Sequence, residues 1–184
     1  MTGHSDYDGS FDPNFRFEDF PKELLLKALR SYADYIRKLD GIWYLSLKKR
    51  AGDDLAFHTD LDVWNTIEVH DVRSTCELYG IKGNDVSALI KATQMSPYAW
   101  VLDNHFELRS PNLGIWTVRR CPTLLALERE GEGRESRICR QVETKLFEIR
   151  AKAINPKMKV TPLSLAPRQN RDGIACQWEF RLDE

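Results

Sequence analysis

The chain has 184 residues, 42% apolar and 30% charged, with 27 basic and 28 acidic side chains and a formal charge of −1. That length suits one domain with a sizeable core. The balanced charge argues against nucleic acid as a partner, because no cationic excess is there to neutralise phosphates.

No run approaches the ~20 apolar residues of a membrane span. The opening ten residues lack the cationic-then-apolar pattern of a signal peptide. No membrane partner and a cytoplasmic location are therefore expected. Four cysteines at irregular spacing are too few for a secreted disulfide scaffold and read as free thiols or ligands.

Residues 1–20 read as a flexible acidic leader, with Asp6, Asp8, Asp12, Glu18 and Asp19 against Arg16. Residues 21–184 read as a single α+β domain, with a helical half over 21–96 and a cysteine-bearing sheet half over 97–184. Asp19 is a candidate cap, and Pro21 and Glu23 suit the first turn of a helix. Leu24, Leu25, Ala28, Leu29, Tyr32, Tyr35, Ile36 and Leu39 then follow helical spacing. Asp40-Gly41 marks a break or a tolerated glycine, and Ile42, Trp43, Leu45 and Leu47 continue the apolar face to Arg50. This stripe, with the tryptophans, is a candidate homodimer surface.

A second helix is predicted over Leu55–Leu78 and is stopped by Gly80–Asn84. Its His58 and Asp62 share a face that reads as solvated. A third runs from Asp85 to Met95, ahead of Pro97. The period then changes. Trp100–Leu108 alternates in part, Ser110–Gly114 makes a hairpin loop, and Ile115–Cys121 returns as a strand. A short helix over Leu124–Glu130 and a polar loop follow. Ser136 is a candidate cap for a helix over Arg137–Ile154. Met158–Leu165 and Ile174–Leu182 read as strands, the last with Cys176, Trp178 and Phe180 on one alternation. The expected architecture is a helical N-terminal half packed beside a mostly antiparallel sheet of about four strands with two inserted helices.

Cys121, Cys139 and Cys176 fall on different elements of the sheet half, so they can converge. Cys139 is placed in the first turn of its helix, where the positive end lowers a thiol pKa. Glu143 lies one turn beyond it, and His105 sits on the first strand. Three thiolates with Glu143 or His105 as a fourth ligand suit zinc or iron. No Cys-x-x-Cys pair is present, and free cysteine is also a common core residue. Trp43 and Trp178, among five tryptophans, can line an apolar pocket for a small molecule, with Asp40 and Arg168 as its polar groups.

The series Cys121-Pro122, Arg129-x-Gly131, Cys139, Asn155-Pro156-Lys157, Ala166-Pro167-Arg168 and Cys176-x-Trp178-Glu179-Phe180 resembles a family of cytosolic bacterial and archaeal proteins of unknown function. In the first half, Leu39–Trp43, Gly52 and Trp64 fit the same pattern, so the resemblance spans residues 22–182. That family is similar in turn to the L-2-amino-thiazoline-4-carboxylic acid hydrolase-like group. The resemblance implies an α+β fold and a shared role for Cys121, Cys139 and Cys176. It also implies further cysteines on the strand at residues 159–163, where this chain has none.

The leading expectation is a domain that binds a small molecule or metal at Cys121, Cys139 and Cys176 beside an aromatic pocket. The alternatives are a hydrolase or lyase of small thiol- or thiazoline-like compounds, and a structural or interaction protein with inert buried thiols.

Overall fold

The computed structural model of the protein describes residues 6–183; the first five residues of the acidic leader, and Glu184, lie outside the described residues. Two long helices, α1 (Lys22–Ala51) and α2 (Asp53–Tyr79), form an antiparallel hairpin joined at Gly52. Gly41 does not break α1. Ala33, Asp40 and Tyr44 lie on its inward face, and that packing outweighs the ~1 kcal/mol propensity cost of a mid-helix glycine. The short α3 (Val86–Met95) starts where the Asp85 carboxylate accepts from Ala88 N at 2.8 Å. A 3₁₀ turn over Pro97–Val101 leads into the sheet half.

The sheet comprises β1 (Asp103–Ser110), β2 (Leu113–Arg120), β3 (Lys159–Ser164) and β4 (Cys176–Arg181). The order is β1-β2-β4-β3, and every pairing is antiparallel. Between β2 and β3 come α4 (Pro122–Glu130), α5 (Arg134–Arg137), a π-helical turn at Ile138–Val142, and α6 (Glu143–Ile154). The last three run on as one helical rod, because Ile138 and Glu143 at its joints keep right-handed backbone angles. The fold is α+β, as expected.

The rod starts at Arg134, ahead of the predicted Arg137, and Ser136 is not its cap. Gly133, at φ +73°, turns the chain before it. The first turn is held by tertiary contacts instead. Arg134 lies over the Tyr44 ring at 4.2 Å, and Arg137 over Phe57 at 3.7 Å.

One row of side chains crosses all four strands in register: Phe106, Trp116, Trp178 and Pro162. Phe106 stacks on Trp116 with centroids 5.3 Å apart. Phe147 of α6 stands edge-on to Trp116 at 5.1 Å and to Trp178 at 4.6 Å. This aromatic contact fixes α6 over the sheet. α3 comes so close to β2 at Gly114 that a Cβ there would collide with Ile90 and lie 3.0 Å from Val86 Cγ1. A second core, with Tyr44, Phe57, Leu127 and Val142, joins the hairpin to α4 and the rod.

A buried ion-pair network ties α2 to α6. Arg150, 3% exposed, donates to Glu68 at 2.9 Å and to Asp71, and Ser96 Oγ donates to Asp71 at 2.9 Å. Ahead of α1, Tyr7, Phe15, Phe17 and Phe20 of the leader pack ring against ring. No helix among the described residues is long and apolar enough to cross a membrane.

Candidate functional site

Cys121 follows β2 and is the N-cap of α4, its Sγ accepting from Leu124 N at 3.4 Å. Cys176 opens β4 opposite Val118 of β2, on the face that carries Trp178 and Phe180. The strand alternation read from the sequence therefore places it inward. Cys139 and Glu143 come down from the rod above. The π-turn between them, in which Glu143 N–H reaches back five residues to Ile138 O, widens the helix where it faces the sheet. Such turns recur at functional sites. Tyr98, in the 3₁₀ turn, donates its hydroxyl to Glu143 Oε1 at 3.1 Å.

These five side chains line one small crevice, walled by Trp116, Val118, Phe147 and Trp178. Its volume is about 30 Å³. That is room for about two water molecules, or for the head group of a ligand, but not for a whole metabolite. Each cysteine keeps partial exposure, so the crevice is reachable from outside.

Burial sets the protonation of the site. It pushes the Glu143 carboxyl up to about 7, with nearby Glu68, Asp60 and Asp40 raising it and the Tyr98 hydroxyl pulling it back down. Burial also pushes the Cys121 thiol up to about 11 and Cys176 up to about 12, and raises Cys139 further still. The expectation of a lowered Cys139 pKa is therefore corrected. Cys139 sits past the first turn of the rod, and desolvation outweighs the helix end. At neutral pH the crevice holds three protonated thiols beside a carboxyl poised to gain or lose a proton.

Trp178 contributes an unusual donor. The residue is 0% exposed, and its indole N–H makes only a weak contact with the Cys176 thiol, which pulls that thiol's pKa back down against burial. It lies beside the Cys176 thiol, whose sulfur is a weak acceptor at best. By contrast, the Trp116 N–H is satisfied by Asn104 Oδ1 at 3.1 Å.

Cys121 and Leu124 also belong to a larger outer groove of about 320 Å³. Its polar lining is cationic on balance: Arg119, Arg120, Arg168 and Arg171 against Asp103 and Asp172. Arg168 is locked in place by a two-pronged contact with Glu128, at 2.8 and 2.6 Å, and by Gly173 O at 3.0 Å.

Several expected members lie elsewhere. His105 is exposed on the opposite face of β1, because the neighbouring Asn104 and Phe106 point to the core and strand side chains alternate. It cannot serve as a fourth ligand. Trp43 is 67% exposed on α1, since Tyr44 beside it takes the inward position. Asp40 lies between α1 and α2, accepting from Trp64 Nε1 at 3.1 Å. There burial raises its pKa and pushes neighbouring Asp60 up to about 7. Trp64 meets Tyr98 edge-on at 6.1 Å, so Asp40 is a remote neighbour of the crevice rather than a wall. Arg168 lines the outer groove. The four residues expected to share a pocket thus occupy four places. His58 and Asp62 are exposed, in keeping with a solvated face. Among the described residues, no three His, Cys, Asp or Glu side chains are disposed to hold a metal ion.

Tyr98 and Asp60 are the participants that the sequence reading passed over. Only the pairing of Tyr98 with Pro97, at the entry to a 3₁₀ turn, hinted at a fixed position.

Fold and crevice together define an α+β protein with a thiol-lined cavity between an antiparallel sheet and a π-bulged helix. The chain belongs to a family of unknown function, DUF6125, whose profile matches residues 18–182 and so takes in both halves of the fold. No curated protein and no solved structure matches the chain.

Proposed function

We propose that the protein binds a small molecule whose head group enters the thiol crevice and whose outer part lies in the arginine-lined groove. The observation that carries this reading is one crevice in which the Glu143 carboxyl and three thiols converge against Trp116, Phe147 and Trp178, and which shares Cys121 and Leu124 with the arginine-lined groove. The apolar aromatic wall with a few convergent polar groups suits a ligand site. The arginines of the adjoining groove favour an oxyanion, a carboxylate or a phosphate, on the outer end. Zinc or iron in the crevice would have to displace the protons that burial holds on the thiols and draw the sulfurs to ~2.3 Å from one ion.

The test is a thermal-shift screen of small carboxylates and phosphates on protein purified without oxygen, with its metal content measured by mass spectrometry. Ligands are expected to stabilise the wild type, and to lose that effect in Cys139→Ser and in Arg171→Ala. A protein that carries no metal and is stabilised by no compound would identify the thiols as packing groups and sink the reading.

A second reading, a hydrolase or lyase of small thiol- or thiazoline-like compounds, is favoured by one feature. Glu143 titrates at about 7, where a general acid or base works best. Protonated thiols point to Glu143, rather than Cys139, as the proton-transfer group. Turnover with a pH profile centred near 7, abolished in Glu143→Gln, would establish it; turnover unchanged in that variant would refute it.

A further inference from the structure

The crevice and the groove that adjoins it carry opposite charge. Of the residues lining the crevice, none is Lys, Arg or His, and Glu143 is the one carboxylic acid among them. Tyr98 donates to Glu143 Oε1 at 3.1 Å, and no protein group among the described residues donates to Oε2. Glu68 and Asp60 of α2 and Asp40 of α1 lie close enough to reinforce that sign. Arg150 offsets Glu68 and Arg134 acts on Asp60, whereas Asp40 forms no ion pair among the described residues. Around the groove the sign reverses. Arg168 is spent on Glu128, and Arg119 lies 4.0 Å from Asp103. Arg120 and Arg171 line the same groove and form no ion pair among the described residues.

Resting on the small-molecule reading, we infer that the bound molecule is a zwitterion, with a primary ammonium seated against Glu143 in the crevice and an oxyanion held by Arg120 and Arg171 in the groove. Size agrees. A methylene and its ammonium are two heavy atoms, and the crevice of about 30 Å³ holds about two waters. The chemistry agrees as well. An ammonium brings three donors, one for Glu143 Oε2 and others for the thiol sulfurs, which accept weakly. The aromatic walls attract a cation. An oxyanion turned inward would face the Glu143 charge with no cation to offset it. The ammonium pairs with ionised Glu143, and burial holds that carboxyl at about 7, so binding below that pH expels a proton. Tyr98 and the three thiols, the other titratable groups around Glu143 in the crevice, stay protonated from pH 6 to 8.

The test is calorimetric titration of the full chain at pH 6 and pH 8 with two matched pairs: β-alanine against propionate, and phosphoethanolamine against ethyl phosphate. Each pair differs by the amine alone, so the difference isolates the ammonium, and the two pairs tell a carboxylate from a phosphate. At pH 8 the amine is expected to tighten binding at least ~10-fold in one pair, the worth of one charge-assisted hydrogen bond. At pH 6 roughly a tenth of Glu143 is ionised, and the advantage is expected to shrink ~10-fold. Glu143→Gln is expected to remove most of it, whereas Arg171→Ala weakens both members of a pair alike. Should Glu143→Gln fail to fold, the pH dependence of the wild type decides. Amine-free acids that bind as tightly as their amino partners, an amine advantage equal at both pH values, or one that survives Glu143→Gln would overturn the inference and leave the small-molecule reading standing. Binding by no member of either pair would also overturn it; the broader reading falls too only where the screen of carboxylates and phosphates finds no compound.

Discussion

Replacing Glu143 by Gln tests the electrostatics of the crevice directly. The carboxyl titrates at about 7 in the folded protein, against an ordinary 4.5, chiefly because burial penalises its charge. Between these values the folded chain binds more protons than the unfolded chain. Stability therefore falls as pH rises through that window. The contribution of the protonated acid is complete below pH 4.5 and lost above 7. At ~1.36 kcal/mol per pH unit the loss approaches ~3 kcal/mol by pH 8, and about 2 kcal/mol is the expectation for a crevice that water reaches. Glutamine is neutral at every pH, keeps nearly the same shape, and still accepts from Tyr98. The variant is thus expected to melt close to the wild type at pH 5 and ~4–8 °C above it at pH 8. Thermal melts of both proteins at half-unit steps from pH 5 to 8.5 measure this. Asp60 also titrates at about 7 and repels the Glu143 charge, so Glu143→Gln eases its ionisation too and adds to the gain at high pH in the same direction. A melting difference that stays constant from pH 5 to 8 would refute the reasoning.

Two further outcomes follow from buried polar groups. Arg150→Met strands Glu68 and Asp71 without their cation and is expected to cost about 3–5 kcal/mol, read as a lower midpoint in urea; a change below 1 kcal/mol would show that water reaches these acids. Because burial raises all four thiols, native protein at pH 8 is expected to react with an aromatic disulfide reagent at least ~10-fold more slowly than protein unfolded in urea. A fast native thiol mapped to Cys121, Cys139 or Cys176 would contradict a protonated crevice.

The resemblance to a family of unknown function agrees with the family that the chain belongs to, and the aromatic walls explain part of its pattern. Trp178 and Phe180 close the core under Phe147, and Cys121 and Cys176 line the same crevice. That three cysteines from three elements line one crevice was legible as a prospect in the spacing, since each fell on a different element of the sheet layer. That their thiols stay protonated was not legible. A helix N-terminus can be read from local sequence, whereas desolvation depends on what other elements stack above it.

Local chemistry alone determined most of the elements. The caps at Asp85 and Gly80, the alternation of Cys176, Trp178 and Phe180, and the helical spacing of α1 and α2 are short-range signals, carried by residues within a few positions of one another. Tertiary structure decided three things. It kept α1 continuous through Gly41, because packing on α2 outweighed a weak propensity. It turned His105 away from the crevice, because a one-residue step in strand register reverses a side chain. It placed the π-turn at Ile138–Val142, for which no composition signal exists, and seated the rod on the sheet through Phe147. Each depends on contacts between residues distant in the chain, and those energies are absent from any local pattern.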